Sequence, residues 1–168
     1  LKYNDYSILA PISDDIKYPN YKINTKHLTS DDPDLLRVDS VDGFAMLINK
    51  NKFSDNIYFD ENFFLFLEND DLCLRKKKEN KKIYVAKKAK INHLGGKSTS
   101  ITHEKEIELS RNWHWMWSKF YFNKKHCGYL KAFLKSLPIL ITSAINFFYY
   151  FIINNKIKKK IYIMRFLG

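Results

Sequence analysis

With 168 residues, 45% of them hydrophobic and 16% aromatic, the chain can bury a sizeable core and is too apolar for intrinsic disorder. Its net charge of +11 is unevenly placed: positions 1–108 carry 18 basic and 18 acidic residues, whereas positions 109–168 carry 11 basic residues and no carboxylate, Glu108 being the last. Cys73 and Cys127 lie far apart with no CxxC spacing, which argues against a disulfide framework or a structural zinc site and makes a reducing cytosol the default.

The chain opens at Leu1 and reaches an apolar run almost at once, so it reads as a piece of something longer. Tyr6 to Leu9, ended by Pro11, predicts a buried strand and a turn. Asp14 to Pro33 is polar and reads as a surface loop. Val38 to Ile48 predicts a second strand, with Gly43 marking a bulge or a close backbone approach. Phe59 to Leu67 is an aromatic run that delivers the chain to Glu68.

Asp70 to Glu79 predicts a helix with acids at its positive end, Lys76, Lys77 and Lys78 in its last turn, and Asn80 as its stop. Lys82 to Val85 and Lys90 to Asn92 are short strand candidates. They lead into a loop, His93-Leu94-Gly95-Gly96-Lys97-Ser98, of the kind that builds sites at strand ends. Thr102 is a candidate cap for a helix running to Phe122, and a second helix is expected after Gly128.

The chemistry is expected in Glu68-Asn69-Asp70-Asp71-Leu72-Cys73-Leu74-Arg75. Asp71 and Arg75 are four apart and pair on one helical face. Glu68 and Asn69 fall just ahead of the helix, at the end of an apolar strand, where a carboxylate is stabilised and held for general-base work. The alternative is that Asp70 and Asp71 are only helix-starting acids and Glu68 is an exposed charge. Asp42 is a further candidate for the same cleft.

Taken in order, Val41-Asp42-Gly43-Phe44-Ala45-Met46-Leu47-Ile48, Phe59-Asp60-Glu61-Asn62-Phe63-Phe64, Glu68 through Arg75, and His93-Leu94-Gly95-Gly96-Lys97-Ser98 resemble the second half of family 2 glycosyltransferases, particularly the rhamnosyltransferase-like members. The resemblance covers Tyr6 to Lys125. It implies an α/β fold, part of a Rossmann-like GT-A domain with a mixed sheet and flanking helices over 1–110; the residue pattern itself adds a helical, basic and aromatic region over 111–168. It also implies inverting transfer of a sugar from a nucleotide-sugar donor to an acceptor hydroxyl on a glycan or lipid-linked acceptor, in cell-surface polysaccharide or glycolipid synthesis.

The resemblance places the base in the first acidic pair of the motif, which falls on Glu68 and Asn69. An amide cannot take the proton, so Glu68 becomes the expected base, with Asp71 or Asp70 behind it and Asp71–Arg75 holding the motif. His93 matches a residue that helps to hold a metal or the donor diphosphate, and Gly95, Gly96 and Ser98 offer N–H and hydroxyl groups to a phosphate. A hydrogen-bonded His at a strand end and a plain turn are the alternatives. A divalent cation, Mg or Mn, is expected in the complete enzyme. The donor-binding half and its Asp-x-Asp motif are not in this chain, so the chain alone is expected to be inactive.

Leu137 to Ile153 is an apolar run of 17 residues, short for a spanning helix, with Lys131 and Lys135 before it and Lys156 to Lys160 after it. Peripheral attachment to an anionic membrane surface, on the cytoplasmic face of the cell membrane, is expected. Trp113, Trp115, Trp117, Tyr149 and Tyr150 are candidate interface anchors. The rivals are a non-catalytic glycosyltransferase-like binding domain and a basic nucleic-acid-binding module; no nucleic-acid partner is expected, because the apolar run between the lysines favours lipid.

Overall fold

The computed structural model describes residues 5–14, 19–24, 32–53, 58–93 and 103–168. The chain forms two compact units, one from Leu1–Asn62 with Glu68–Gly95 and the other from Phe63–Leu67 with Gly96–Gly168. The expected boundary at 110 therefore falls inside a helix of the second unit rather than between the two.

The first unit is α/β. Its sheet has the order β3-β6-β1-β5, with β1 spanning Tyr6–Ser13, β3 Leu35–Arg37, β5 Leu47–Ile48 and β6 Lys82–Ile91. β6 runs parallel to β1, while β5 and β3 are antiparallel to their neighbours, so the sheet is mixed. Parallel neighbours need a long crossover, and this one carries α1, Glu68–Lys78. α1 buries Leu72 and Cys73 against Ile8, Ala10, Val41, Ile83 and Val85.

Three strand expectations change. β1 continues through Pro11 to Ser13. Pro11 is tolerated because β5 has already ended and the pairing with β6 shifts there, from Ala86 opposite Pro11 to Lys90 opposite Ile12. The two candidates after Lys82 are one strand, its outer half hidden from a pattern reading because Lys87, Lys88 and Lys90 face solvent. The expected strand Val38 to Ile48 is instead two short pieces serving different sheets. β4, Ser40–Val41, pairs with β2, Tyr21–Lys22, inside what read as a loop, and β5 pairs with β1, with a turn at Gly43 and Phe44 between them.

α1 begins at Glu68, so Glu68 and Asn69 form its first turn rather than preceding it. No strand delivers them: residues 64–67 are bends, and Phe66 and Leu67 have φ of 69° and 65°. Left-handed backbone at two bulky residues in a row is strained and bars the helix from extending backward. At the other end Asn80, with φ 57°, closes the helix as expected; its N–H donates to the Lys77 carbonyl and the Lys81 N–H to the Lys76 carbonyl, satisfying two terminal acceptors.

Lys76 is fully buried, its Nζ 2.9 Å from both Glu79 carboxylate oxygens and 4.2 Å from the centre of the Phe53 ring. Only the lysine end of this pair is buried, Glu79 being 40% exposed, so an ammonium left without the carboxylate is costly, whereas the carboxylate left without the ammonium can turn to water. Glu79→Ala is therefore expected to cost about 3 kcal/mol, and Lys76→Met to stay within about 1 kcal/mol of the parent, both read from urea unfolding.

The second unit holds α2, Glu104–Cys127, α3, Tyr129–Ile152, and α4, Lys156–Leu167. The expected cap at Thr102 lies outside the described residues. α2 and α3 meet at Gly128, whose φ of 88° suits glycine. α3 starts there as expected and continues through Pro138. α4 was not expected: Asn154, with φ 54°, ends α3, and the Asn155 side chain accepts from the Lys158 N–H to start α4. Phe63–Leu67 packs against α2, with the Ser118 hydroxyl donating to the Leu65 carbonyl at 2.6 Å and Phe66 edge-on to Trp115. Trp113, Trp117 and Tyr121 stack as a ladder along α2.

Candidate functional site

In the first unit, several polar side chains gather near the carboxyl ends of the parallel pair β1 and β6, where open α/β sheets place their ligands. Asn20 is the strut. It is buried, its Oδ1 accepts from the Ser13 N–H, its Nδ2 donates to the Pro11 carbonyl, and its own carbonyl accepts from the Asp42 N–H, all at 2.8 Å. One amide thus ties the end of β1 to the turn that carries Asp42.

The first turn of α1 faces that turn. Asn69 Nδ2 donates to the Val41 carbonyl at 2.9 Å, which fixes the helix start to β4. Asn69, the expected departure from an acidic pair, is therefore a structural clamp: a carboxylate there would have no proton to give Val41. Glu68 turns toward Gly43. A Cβ at Gly43 would lie 3.7 Å from Glu68 Oε1 and 3.5 Å from Asn69 Cβ, so glycine leaves open the space beside the carboxylate. Glu68 Oε2 is buried and has no hydrogen-bond partner among the described residues. Buried acceptors without partners are rare in folded proteins, and a catalytic role is one of the explanations for them.

The other two acids of the motif are committed. Asp70 bonds to Lys22 Nζ through both oxygens, at 3.0 and 2.9 Å. Asp71 is fully buried and accepts from Arg75 Nε at 2.9 Å, the pairing expected from their spacing, and Arg75 also donates to the Tyr58 carbonyl. Burial pushes the Asp42 carboxyl above the usual carboxylate range; Asp70 adds to that rise, while Lys22 and His93 oppose it. His93, two residues beyond β6, is exposed and stacks on Phe44 with ring centres 4.2 Å apart and planes within 2°.

The structure thus brings together Asp42, Glu68, Asp70 and His93, with Asp71 and Arg75 behind them in the helix. Gly95, Gly96 and Ser98 lie outside the described residues. Among the described residues no three His, Cys, Asp or Glu side chains converge in a metal-holding group, so His93 is in place but the described residues do not by themselves fit a divalent-cation centre. Sequence reasoning missed Lys22, Asn20 and Phe44. Asn20 follows Pro19 in a stretch that reads as plain loop, and nothing in the spacing joins Phe44 to His93.

Cys73 of the same motif belongs to the core, its thiol pushed up to about 12 by burial, whereas Cys127 is exposed. A thiol reagent is expected to modify one cysteine in the native protein near neutral pH and both after denaturation. Because the folded pKa is the higher one, the stabilisation from the neutral buried thiol is complete below about 9 and is lost as pH rises toward about 12.

Compared with family models, with curated proteins and with solved structures, the chain finds no match in any of the three.

Proposed function

We propose that the first unit is the acceptor-side part of a GT-A-type inverting glycosyltransferase, with Glu68 as its general base. The observation that carries this reading is the buried Glu68 oxygen without a partner among the described residues, at a helix start beside the open space at Gly43. The four linked motifs that resemble family 2 glycosyltransferases support it. So does the position of the cluster near the carboxyl ends of two parallel strands.

The chemistry follows from the arrangement. An acceptor hydroxyl donates to Glu68; as its oxygen attacks the anomeric carbon, the proton passes to the carboxylate, and the bond from that carbon to the departing nucleoside diphosphate breaks. Asn69 and Asn20 hold the two walls in register, and the Asp71–Arg75 pair fixes the helix behind them. His93 on Phe44 is positioned as a contact for the donor diphosphate. A divalent cation, Mg or Mn, would supply charge stabilisation for the leaving group, with His93 as one holder and others from outside the described residues. The donor pocket belongs to the half that the resemblance places ahead of this one. The acceptor is a glycan or lipid-linked hydroxyl of a surface polysaccharide or glycolipid.

The test is transfer of labelled sugar from a panel of nucleotide-sugar donors by the protein together with its donor-binding half. Glycan binding without transfer by any donor would favour a non-catalytic binding domain, a reading supported by the commitment of Asp70 and Asp71 to ion pairs.

A further inference from the structure

We infer that the outward face of α3, continued onto the end of α4, is a docking surface that lies flat on an anionic lipid bilayer. The inference concerns the second unit alone and stands independently of the sugar-transfer reading.

α3 has its polarity inverted for a helix in water. The side chains it buries are small or polar, Ala132, Ser136 and Ser143, whereas Leu130, Leu134, Ile141, Ile145, Phe148 and Ile152 are 55–80% exposed. At the helical period those six positions fall in one stripe about 60° wide, which over 22 residue steps runs about 33 Å. In a soluble bundle that stripe would face the core. Small residues inward and large apolar residues outward is instead the arrangement of helices whose surroundings are hydrocarbon. A contiguous exposed apolar face of this length marks an interaction surface.

Charge selects the occupant. No charged residue lies between Lys135 and Lys156, and both ends of the stripe are basic: Lys131 and Lys135 at one, Lys156, Lys158, Lys159 and Lys160 at the other. With no carboxylate after Glu108, the rim complements an anionic surface, and an apolar centre within a basic rim matches acyl chains beneath acidic headgroups. Beside the stripe, Ala144, Phe147, Phe148, Ile163, Phe166 and Leu167 line an apolar groove of about 320 Å³ between α3 and α4, open to the same hydrocarbon.

By length and composition alone α3 could cross a membrane. Its neighbours argue for lying in the plane. α2 and α4 pack along it, and they carry Glu104, Glu106, Glu108, Arg111, Lys119 and the α4 lysines. Spanning would take those charges into hydrocarbon, whereas in-plane docking leaves them in water.

The test is co-sedimentation of the full chain with vesicles of phosphatidylcholine, with or without phosphatidylglycerol, at low and high salt. Binding to the anionic vesicles is expected to be about tenfold tighter or more, and to weaken with salt. Ile145→Asn with Phe148→Asn, at exposed positions, is expected to reduce binding about tenfold or more while helical circular dichroism is retained. Reversing the charge at Lys156, Lys158 and Lys160 is expected to remove the preference for phosphatidylglycerol without touching the apolar face. Four outcomes would overturn the inference: no binding to either vesicle, binding to RNA alone, retention through alkaline carbonate extraction, which would mean a spanning helix, or self-association in place of vesicle binding that the apolar substitutions abolish.

Discussion

Glu68→Gln is expected to lower sugar transfer about 10²–10⁴-fold, the usual contribution of a positioned general base, while leaving the fold intact. The two parts of that expectation have separate causes. Glutamine keeps the size of glutamate but cannot accept the acceptor proton at neutral pH. Glu68 Oε2 has no partner among the described residues, so the substitution breaks no hydrogen bond at that oxygen, and stability should hold within about 0.5 kcal/mol. Initial rates of transfer and a urea titration on the same preparations check both. Asp70→Asn is the control: it loses an ion pair to the half-exposed Lys22, worth about 1 kcal/mol or less, and should leave the proton-transfer step in place. Undiminished transfer by the Glu68→Gln protein would remove Glu68 from the mechanism. Asn69→Asp sharpens the point, because it restores an acid where the resemblance expects one but sets a carboxylate against the Val41 carbonyl. A loss of about 1–3 kcal/mol is expected from the broken hydrogen bond, without a gain in rate.

Asp71→Ala should have the opposite profile, with a loss of about 3–5 kcal/mol in unfolding free energy. Asp71 is fully buried and Arg75 only 18% exposed, so removal of the carboxylate takes a charged acceptor from a guanidinium that little water can reach. The Arg75 bond to the Tyr58 carbonyl is to a neutral acceptor and does not offset the lost carboxylate charge. A loss of that size is a large share of the 5–15 kcal/mol that typically holds a domain together. Urea midpoints for Asp71→Ala and Arg75→Leu, with the double variant closing a cycle, measure the coupling. If Asp71→Ala instead unfolds like the parent and transfers no sugar, the catalytic role moves from Glu68 toward Asp71.

What could be read in the sequence was what helical geometry fixes over a few residues. The Asp71–Arg75 pair follows from a four-residue spacing, Asn80 from the need for a left-handed stop, and the start of α3 from Gly128. Contacts between distant segments left no such trace. Val38 to Ile48 looks like one strand because its apolar residues are contiguous, yet β4 and β5 join different sheets. Lys22 meets Asp70 across 48 positions, and Phe44 meets His93 across a similar gap. α4 was hidden by its lysines, which masked the Asn154–Asn155 turn that begins it. In α3 the periodicity defines a stripe but not whether that stripe faces a core or the outside.

The parallel pairing of β1 with β6 also sets the order of events during synthesis. Ser7 donates to the Lys82 carbonyl across 75 positions, so at 5–20 residues per second the ribosome delivers the partner of β1 roughly 4–15 s after β1 itself. In that interval β5 can pair only Ile8 and Leu9, and the β6-facing edge of Ile8, Leu9 and Ala10 stays open, the kind of segment that chaperones hold and that seeds aggregation when synthesis outruns folding. Slower translation ahead of Lys82 would prolong that exposure, and recovery of soluble protein would then depend on how long the nascent strand waits.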